Sequence, residues 1–579
     1  MLHHRNSLLR LPVNFTPRHN QEGVAMYTWL DPFGIAAACR EVQKAWLAHP
    51  CQLGNELARL NTRALALAPW QRAAGLLSGD DPIPPVIYDE RFQHPLWNHN
   101  PVLDSVKETY LLYTRWLEDA IYKTPEVSDK TKSKAAFWTR EFLNGLAPTN
   151  FFWTNPEAVM RALQTGGRSC LDGWLNFVTD ASAGKISMVD DAAFEVGVNI
   201  ATTPGAVIHR NELVELIQYA PTTDKVHTTP IVIVAPWINK YYILDINKRR
   251  SLVRHLVGQG FTVFVTSWKN PTADMRNTTF DDYMLRGVLE SINAARDICG
   301  SEQVHLTGYC IGGTLVASLA AWLNRAPDRK AQLPVAHITL LTTLVDFSKC
   351  GDIDVFIDDD SLDALDDLMA HHGYLDGKDM AMSFRSLRSN SLIWHYWVHN
   401  YLLGEPPPPF DVLYWNSDST RLPYAMHSFY LREFYLHNKL MQPDGITLGE
   451  RPIDLARIRQ PIYAVGTEED HIAPWTSTFR ICSLAKGPVR FVLVTSGHIM
   501  GVMSPPLDPP KRRYWMGDAT GRRDPDAWLA ETEKASNSWW TDWVAWLKPQ
   551  CGGLKAPPPL GGERHPPVVP APGNYVLEP

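Results

Sequence analysis

Three residues carry chemistry by their type and order. Cys310 stands between glycines in Gly308-Tyr309-Cys310-Ile311-Gly312, Asp470 ends the acidic run Glu468-Glu469-Asp470, and His498 closes Ser496-Gly497-His498. A thiolate is a strong nucleophile, an imidazole within reach can take its proton, and a carboxylate can orient the imidazole. Together they suit covalent acyl transfer. The glycines have a geometric reason, because a nucleophile lifted on a sharp strand-to-helix turn needs neighbours without a Cβ where backbones crowd. The competing reading is a structural cysteine buried in a glycine-rich turn.

Order and placement favour the chemical reading. Asp470 follows the apolar run "PIYAVG", and His498 follows the next one, "FVLVTSG". Glu468 and Glu469 are rivals for the acid, and His471 is a rival for the base. Asp470 is preferred because it lies furthest along its loop. His498 is preferred because it has a strand of its own, whereas His471 would have to fold back past its neighbour. The chemistry also needs donors for an oxyanion. The backbone N–H of Ile311 is the first candidate, and Ile238 or Asn239 in "APWINKYYILD" is the second. The reaction asks for no metal and no cofactor. The acidic run from Asp352 to Asp367 lacks the glycine that a calcium loop needs at its sixth position, and Asp358 to Asp360 suit a helix N-terminus instead.

The elements that must position these residues alternate. "TTPIVIVAPW", "FTVFVTSW", "QVHLTGYC" and "AHITLLTTLVDF" read as buried strands, separated by the helical patterns "RSLVRHLVGQG" and "TFDDYMLRGVLESINAARDICG" and by a helix expected to begin near Thr314. Such alternation predicts a mostly parallel sheet with helices on both faces. Nucleophile, acid and histidine in that chain order give an α/β-hydrolase core. The expected division is a mobile leader over 1–24, a helical N-terminal domain over 25–185, core segments over 186–346 and 451–551, a lid insertion over 347–450, and a proline-rich tail over 552–579.

Composition sets outer bounds. The chain has 579 residues, 45% hydrophobic and 20% charged, with a net charge of −7. That balance argues against a nucleic-acid binder, and no lysine or arginine cluster stands out along the chain. The eight cysteines are scattered, with neither disulfide nor zinc spacing, and suit a reducing cytoplasm. The start lacks the apolar core of a signal peptide. Glycines interrupt the apolar stretch around Cys310, so no membrane span is expected. Twenty-one Trp, 20 Tyr and 20 Phe point to aromatic packing or to a surface that meets something apolar.

Six motifs in order, "PWINKYYILD", "GYCIGG", "FDVLYWNSDSTRLP", "EEDHIAPW", "SGHIMG" and "SWWTDWVAWL", make the chain resemble the poly(3-hydroxyalkanoate) synthases, over roughly residues 90 to 550. The resemblance implies the single-subunit type and polymerisation of (R)-3-hydroxyacyl-CoA through a thioester on Cys310, with Asp470 and His498 as acid and base. It also implies a homodimer on the surface of a growing polyester granule in the cytoplasm, with phasin-type granule proteins as partners. Phe410 and Trp415 lie in the matching lid motif as candidates to line the acyl path, with plain packing as the alternative. Met500, beside His498, is a candidate to bias the pocket. A cysteine thioesterase of the same fold is the competing enzyme, and a non-catalytic granule-binding protein is the competing non-enzyme.

Overall fold

The computed structural model describes residues 34–66, 89–325 and 332–579; the leader expected over 1–24 lies outside them. Short runs rich in valine and isoleucine form strands buried on both faces, as a sheet covered by helices requires. They are β1 (Gly205–Arg210), β2 (Val214–Tyr219), β3 (Ile231–Val234), β4 (Val263–Trp268), β5 (Val304–Tyr309), β6 (Val335–Leu341), β7 (Ile462–Thr467) and β8 (Val489–Val494). Three more pieces extend the sheet: β9 (Arg513–Asp518), β10 (Lys534–Ser536) and β11 (Val569–Pro570). The spatial order is β10-β9-β8-β7-β6-β5-β3-β4-β2-β1-β11. The centre, β3 to β8, is parallel, and antiparallel strands flank it on both sides. Parallel strands send their C-terminal ends to one edge, where ligands bind in open α/β sheets.

One buried apolar cluster lies on each face of the sheet. The closing helix Trp539–Leu547 contributes Trp539, Trp540 and Trp543 to one of them, so part of the aromatic load is core packing. Trp539 and Trp540 also donate their indole N–H groups to the carbonyls of Gly501 and Val502, at 3.0 and 2.9 Å. The closing helix thereby holds the loop that carries His498.

Between β6 and β7 the chain leaves the sheet and forms a run of short helices. Its acidic segment is spent on structure. Asp358 caps the helix Asp359–His372 through the Ser361 N–H, and Asp363 and Asp366 pair with Arg432. The N-terminal helices pack on this insertion. Asn176 donates to the carbonyls of Asn400 and Glu405, Tyr401 donates to Asp180, and Trp397 donates to the Asn150 carbonyl. Among the described residues no helix is long and apolar enough to cross a membrane.

The proline-rich tail is extended and packed against the body. Leu554–Lys555 pairs with Val226–His227, and β11 pairs with β1. The buried Gln218 side chain donates to the Pro559 carbonyl and accepts from the Gly561 N–H. Glu215 is fully buried and accepts from Arg210 and from the N–H groups of Asn574 and Tyr575, at 2.7, 2.9 and 3.0 Å. Glu215→Ala would orphan two backbone donors and one guanidinium, so a loss of about 3 kcal/mol is expected, together with new protease cleavage within 552–579. Urea unfolding and limited proteolysis read the two effects. An intact tail at unchanged stability would assign the docking to strand pairing alone.

Candidate active site

Cys310 is the junction between β5 and the helix Ile311–Asn324. Its backbone has φ 55° and ψ −124°, a conformation costly for a residue with a Cβ. The helix begins at Ile311, three residues before the position expected from the sequence. Gly312 and Gly313, which read as turn, form its first coil because the crowding there leaves no room for side chains. A Cβ on Gly312 would meet the Val234 carbonyl oxygen at 2.5 Å and that of Ala235 at 3.0 Å. One on Gly313 would strike the Thr343 side chain, and one on Gly308 the backbone of Gly313. The elbow is tied down by the Cys310 N–H, which donates to the Leu341 carbonyl at 2.9 Å. The thiol sits half-buried at a helix N-terminus, where the backbone dipole favours negative charge. Burial pushes the thiols of Cys299, Cys350 and Cys551 up to about 12, which leaves them inert.

Asp470 and His498 meet beside this thiol. His498 Nδ1 and Asp470 Oδ2 are 2.7 Å apart, and the Cys310 sulfur is near enough for its charge to act on the ring. Four donors lock the carboxylate: His498, the Thr467 hydroxyl at 3.1 Å, and the Ile472 and Ala473 N–H groups at 2.9 and 2.8 Å. Burial alone would raise the Asp470 carboxyl, but the His498 charge and these hydrogen bonds outweigh it and hold the group below its usual value. Burial alone would likewise discharge His498. The Asp470 carboxylate and the Cys310 sulfur outweigh that, and they hold the imidazole well above its ordinary value. Nδ1 is committed to the carboxylate, so Nε2 is the ring nitrogen left available for proton transfer.

The rivals are elsewhere. Glu468 and Glu469 are exposed. His471 faces Arg388 at 3.3 Å, and burial followed by that positive charge lowers it to about 4. Of the oxyanion candidates, the Ile311 N–H is the first of its helix, a position with no intrahelical acceptor. Among the described residues neither it nor the Ile238 N–H has a protein acceptor. The insertion steadies the Ile238 loop. Thr420 bonds the carbonyls of Trp237 and Ile238, and Trp415, itself buried, donates its indole N–H to the Lys240 carbonyl at 2.6 Å. Trp415 thus ties insertion to loop. Met500 packs in the same apolar cluster as Cys310. Phe410 is 39% exposed, at a surface depression with Asn247, Arg249 and Arg250.

Several neighbours have no distinct signal in the sequence. Tyr309 lies flat on His498, with centroids 5.6 Å apart. Tyr430 and Tyr435 descend from the insertion. Burial, and among further causes the nearby Cys310 sulfur, pushes both hydroxyls above their ordinary value, so they remain protonated donors. Only the aromatic density of "FYLREFYL" hinted at them.

A prediction follows from the charge on His498. Asp470→Asn removes the carboxylate that favours the imidazolium, so His498 gains its proton less readily. The acid limb of the kcat/KM profile is expected to move to lower pH. The maximal rate should fall by at least about a hundredfold, since an amide presents the wrong partner to Nδ1. An unmoved limb would remove Asp470 from the relay.

Two family models match the chain: residues 88–256 fit the "Poly-beta-hydroxybutyrate polymerase (PhaC) N-terminus", and residues 239–502 fit the "alpha/beta hydrolase fold". The poly(3-hydroxyalkanoate) polymerase subunit of Cupriavidus necator is 41% identical over 534 residues, covering 91% of this chain and 88% of its own. The poly(3-hydroxyalkanoate) polymerase of Methylorubrum extorquens is 40% identical over 545 residues, covering 92% and 88%. Among solved structures, a hydrolase from Pseudomonas aeruginosa covers 52% of this chain and 92% of its own, at 13% identity and a TM-score of 0.30. With this fold, and relatives this similar over nine-tenths of its length, the chain belongs to the poly(3-hydroxyalkanoate) polymerase family.

Proposed function

We propose that this protein polymerises (R)-3-hydroxyacyl-CoA into poly(3-hydroxyalkanoate), with Cys310 as nucleophile, His498 as base and acid, and Asp470 as its orienting carboxylate. The observation that carries this reading is the buried bond of His498 to Asp470 beside the elbow that presents Cys310, and the aromatic insertion is suited to limiting the access of water. In the first step the Cys310 proton passes to His498 and the thiolate attacks the acyl carbonyl. The bond to the CoA sulfur breaks, and CoA leaves with the proton from the imidazolium. The N–H groups of Ile311 and Ile238 serve the oxyanion, with the Tyr430 hydroxyl close by. In the second step the 3-hydroxyl of another hydroxyacyl-CoA gives its proton to His498 and attacks the Cys310 thioester. An ester forms, the cysteine is freed, and the lengthened chain returns to it from CoA by the first reaction. Cysteine suits this cycle because thioester-to-thioester exchange keeps the acyl group activated.

Dimerisation, residence on cytoplasmic polyester granules and contact with phasin-type proteins belong to the same proposal, by family membership. An apolar face supports the granule contact. Leu171, Trp174, Leu175 and Val178 lie exposed on the helix Arg168–Ala183, and Trp153 is 86% exposed.

The test is incubation with (R)-3-hydroxybutyryl-CoA, following thiol release and turbidity together. Both are expected for the wild type, and both should vanish in Cys310→Ala, which remains folded because the thiol is small and half-buried. CoA release with free hydroxy acid and no polymer would make the protein a thioesterase. Activity that survives Cys310→Ala would remove the covalent mechanism.

A further inference from the structure

Two basic segments, separated by more than half of the core, meet beside the active-site edge. The first, Lys248-Arg249-Arg250, lies in the connection that also carries Ile238. Asn247 accepts from the N–H groups of Arg249 and Arg250, both at 2.9 Å, and this turn projects Lys248 and Arg249 into solvent. Arg250 is occupied by Asp411 at 3.3 Å. Among the described residues neither Lys248 nor Arg249 has an ion-pair partner. The second, Lys511-Arg512-Arg513, brings Arg512, which is half-buried, donates to the Thr495 carbonyl at 3.4 Å where the chain turns toward His498, and interacts with the charges of Glu469 and Arg250. Glu469 directly precedes Asp470, so the basic group borders the loop of the acid. Neither trio stands out in the sequence alone; folding brings them together on a chain of net charge −7.

Beside these cations the surface is aromatic. Phe194, Pro409 and Phe410 line one depression with Asn247, Arg249, Arg250 and Asp411, and Phe194 rests on Tyr414 with centroids 5.3 Å apart. Rings next to unpaired cations match a nucleotide, whose base stacks and whose phosphates take charge-assisted hydrogen bonds. A simple anion would have no use for the rings. A patch of this kind on the C-terminal edge of a parallel sheet is also where a long substrate leads inward to the nucleophile.

We propose that this depression receives the 3′-phosphoadenosine diphosphate end of the acyl-CoA, with the base against Phe194 and Phe410 and the phosphates on Lys248, Arg249 and Arg512. The proposal rests on the function argued above, and it moves Phe410 from the acyl path to the nucleotide end.

The test compares (R)-3-hydroxybutyryl-CoA with the same acyl group on pantetheine, which lacks the nucleotide, in the full chain. Arg249→Glu is expected to raise KM for the CoA thioester by about tenfold or more. Its kcat should stay within about twofold, and so should kcat/KM for the pantetheine thioester. Calorimetry with adenosine 3′,5′-bisphosphate should show binding that Arg249→Glu abolishes and Phe410→Ala weakens. Inorganic pyrophosphate should bind more weakly and be indifferent to Phe410→Ala. Equal effects of Arg249→Glu on both substrates, or none on either, would overturn the site. Pyrophosphate binding as tightly as the bisphosphate would overturn its nucleotide character. A wild type that turns over neither thioester yet binds the bisphosphate through Arg249 would sink the catalytic reading and keep the site.

Discussion

Everything at the centre of this molecule depends on how closely three pieces of backbone approach around Cys310. The elbow holds the cysteine at φ 55°, and such a conformation persists only when its surroundings over-determine it. Here the restraints come from β6, through the Leu341 carbonyl, from the connection leaving β3 under Gly312, and from Thr343 against Gly313. The three contacts also place the thiol at the start of a helix, beside the loop that offers Ile238. Strain, helix dipole and the proposed oxyanion site therefore share one cause.

The proposed acid and base are held by different means. Asp470 is fixed locally, because a short turn after β7 wraps backbone donors around its carboxylate. His498 stands on a glycine-flanked loop closed by its own turn bonds, from the Gly501 and Met503 N–H groups to the Gly497 and Ile499 carbonyls. Further support comes from Trp539 and Trp540, about 40 residues later in the chain, whose indoles bond that loop. A buried indole N–H left without a partner would cost about 1–3 kcal/mol, so those tryptophans are as much positioning groups as packing.

What was legible in the sequence was what a local signal could carry. The strand runs, the glycine spacing around Cys310 and the strand-end positions of Asp470 and His498 are each written in a dozen residues or fewer, and the sheet followed from their alternation. The start of the helix was misplaced because glycine reads as turn, whereas Gly312 and Gly313 are there for close approach. Strands β9 and β10 went unread: "RRYWMGD" alternates weakly, and only pairing with β8 makes it a strand. Tyr430 and Tyr435 were invisible because an aromatic in an irregular insertion does not say what it faces.

The N-terminal helices are part of this argument although they bring no residue to the thiol. They grip the insertion through Asn176, Asp180 and Asn150, and the insertion grips the Ile238 loop through Trp415 and Thr420. Each such bond is worth about 1 kcal/mol net, so displacing the insertion as a unit means breaking several at once, on two sides. The two sides differ in kind. Toward the core the contacts are buried carbonyls in a loop pinned to the sheet; toward the helices many are amides and hydroxyls only partly buried, where water can take over as partner. If the insertion moves to admit substrate, the cheaper motion parts it from the helices and leaves the Ile238 loop assembled. The fold thus allows access to vary without disturbing the geometry on which the chemistry rests.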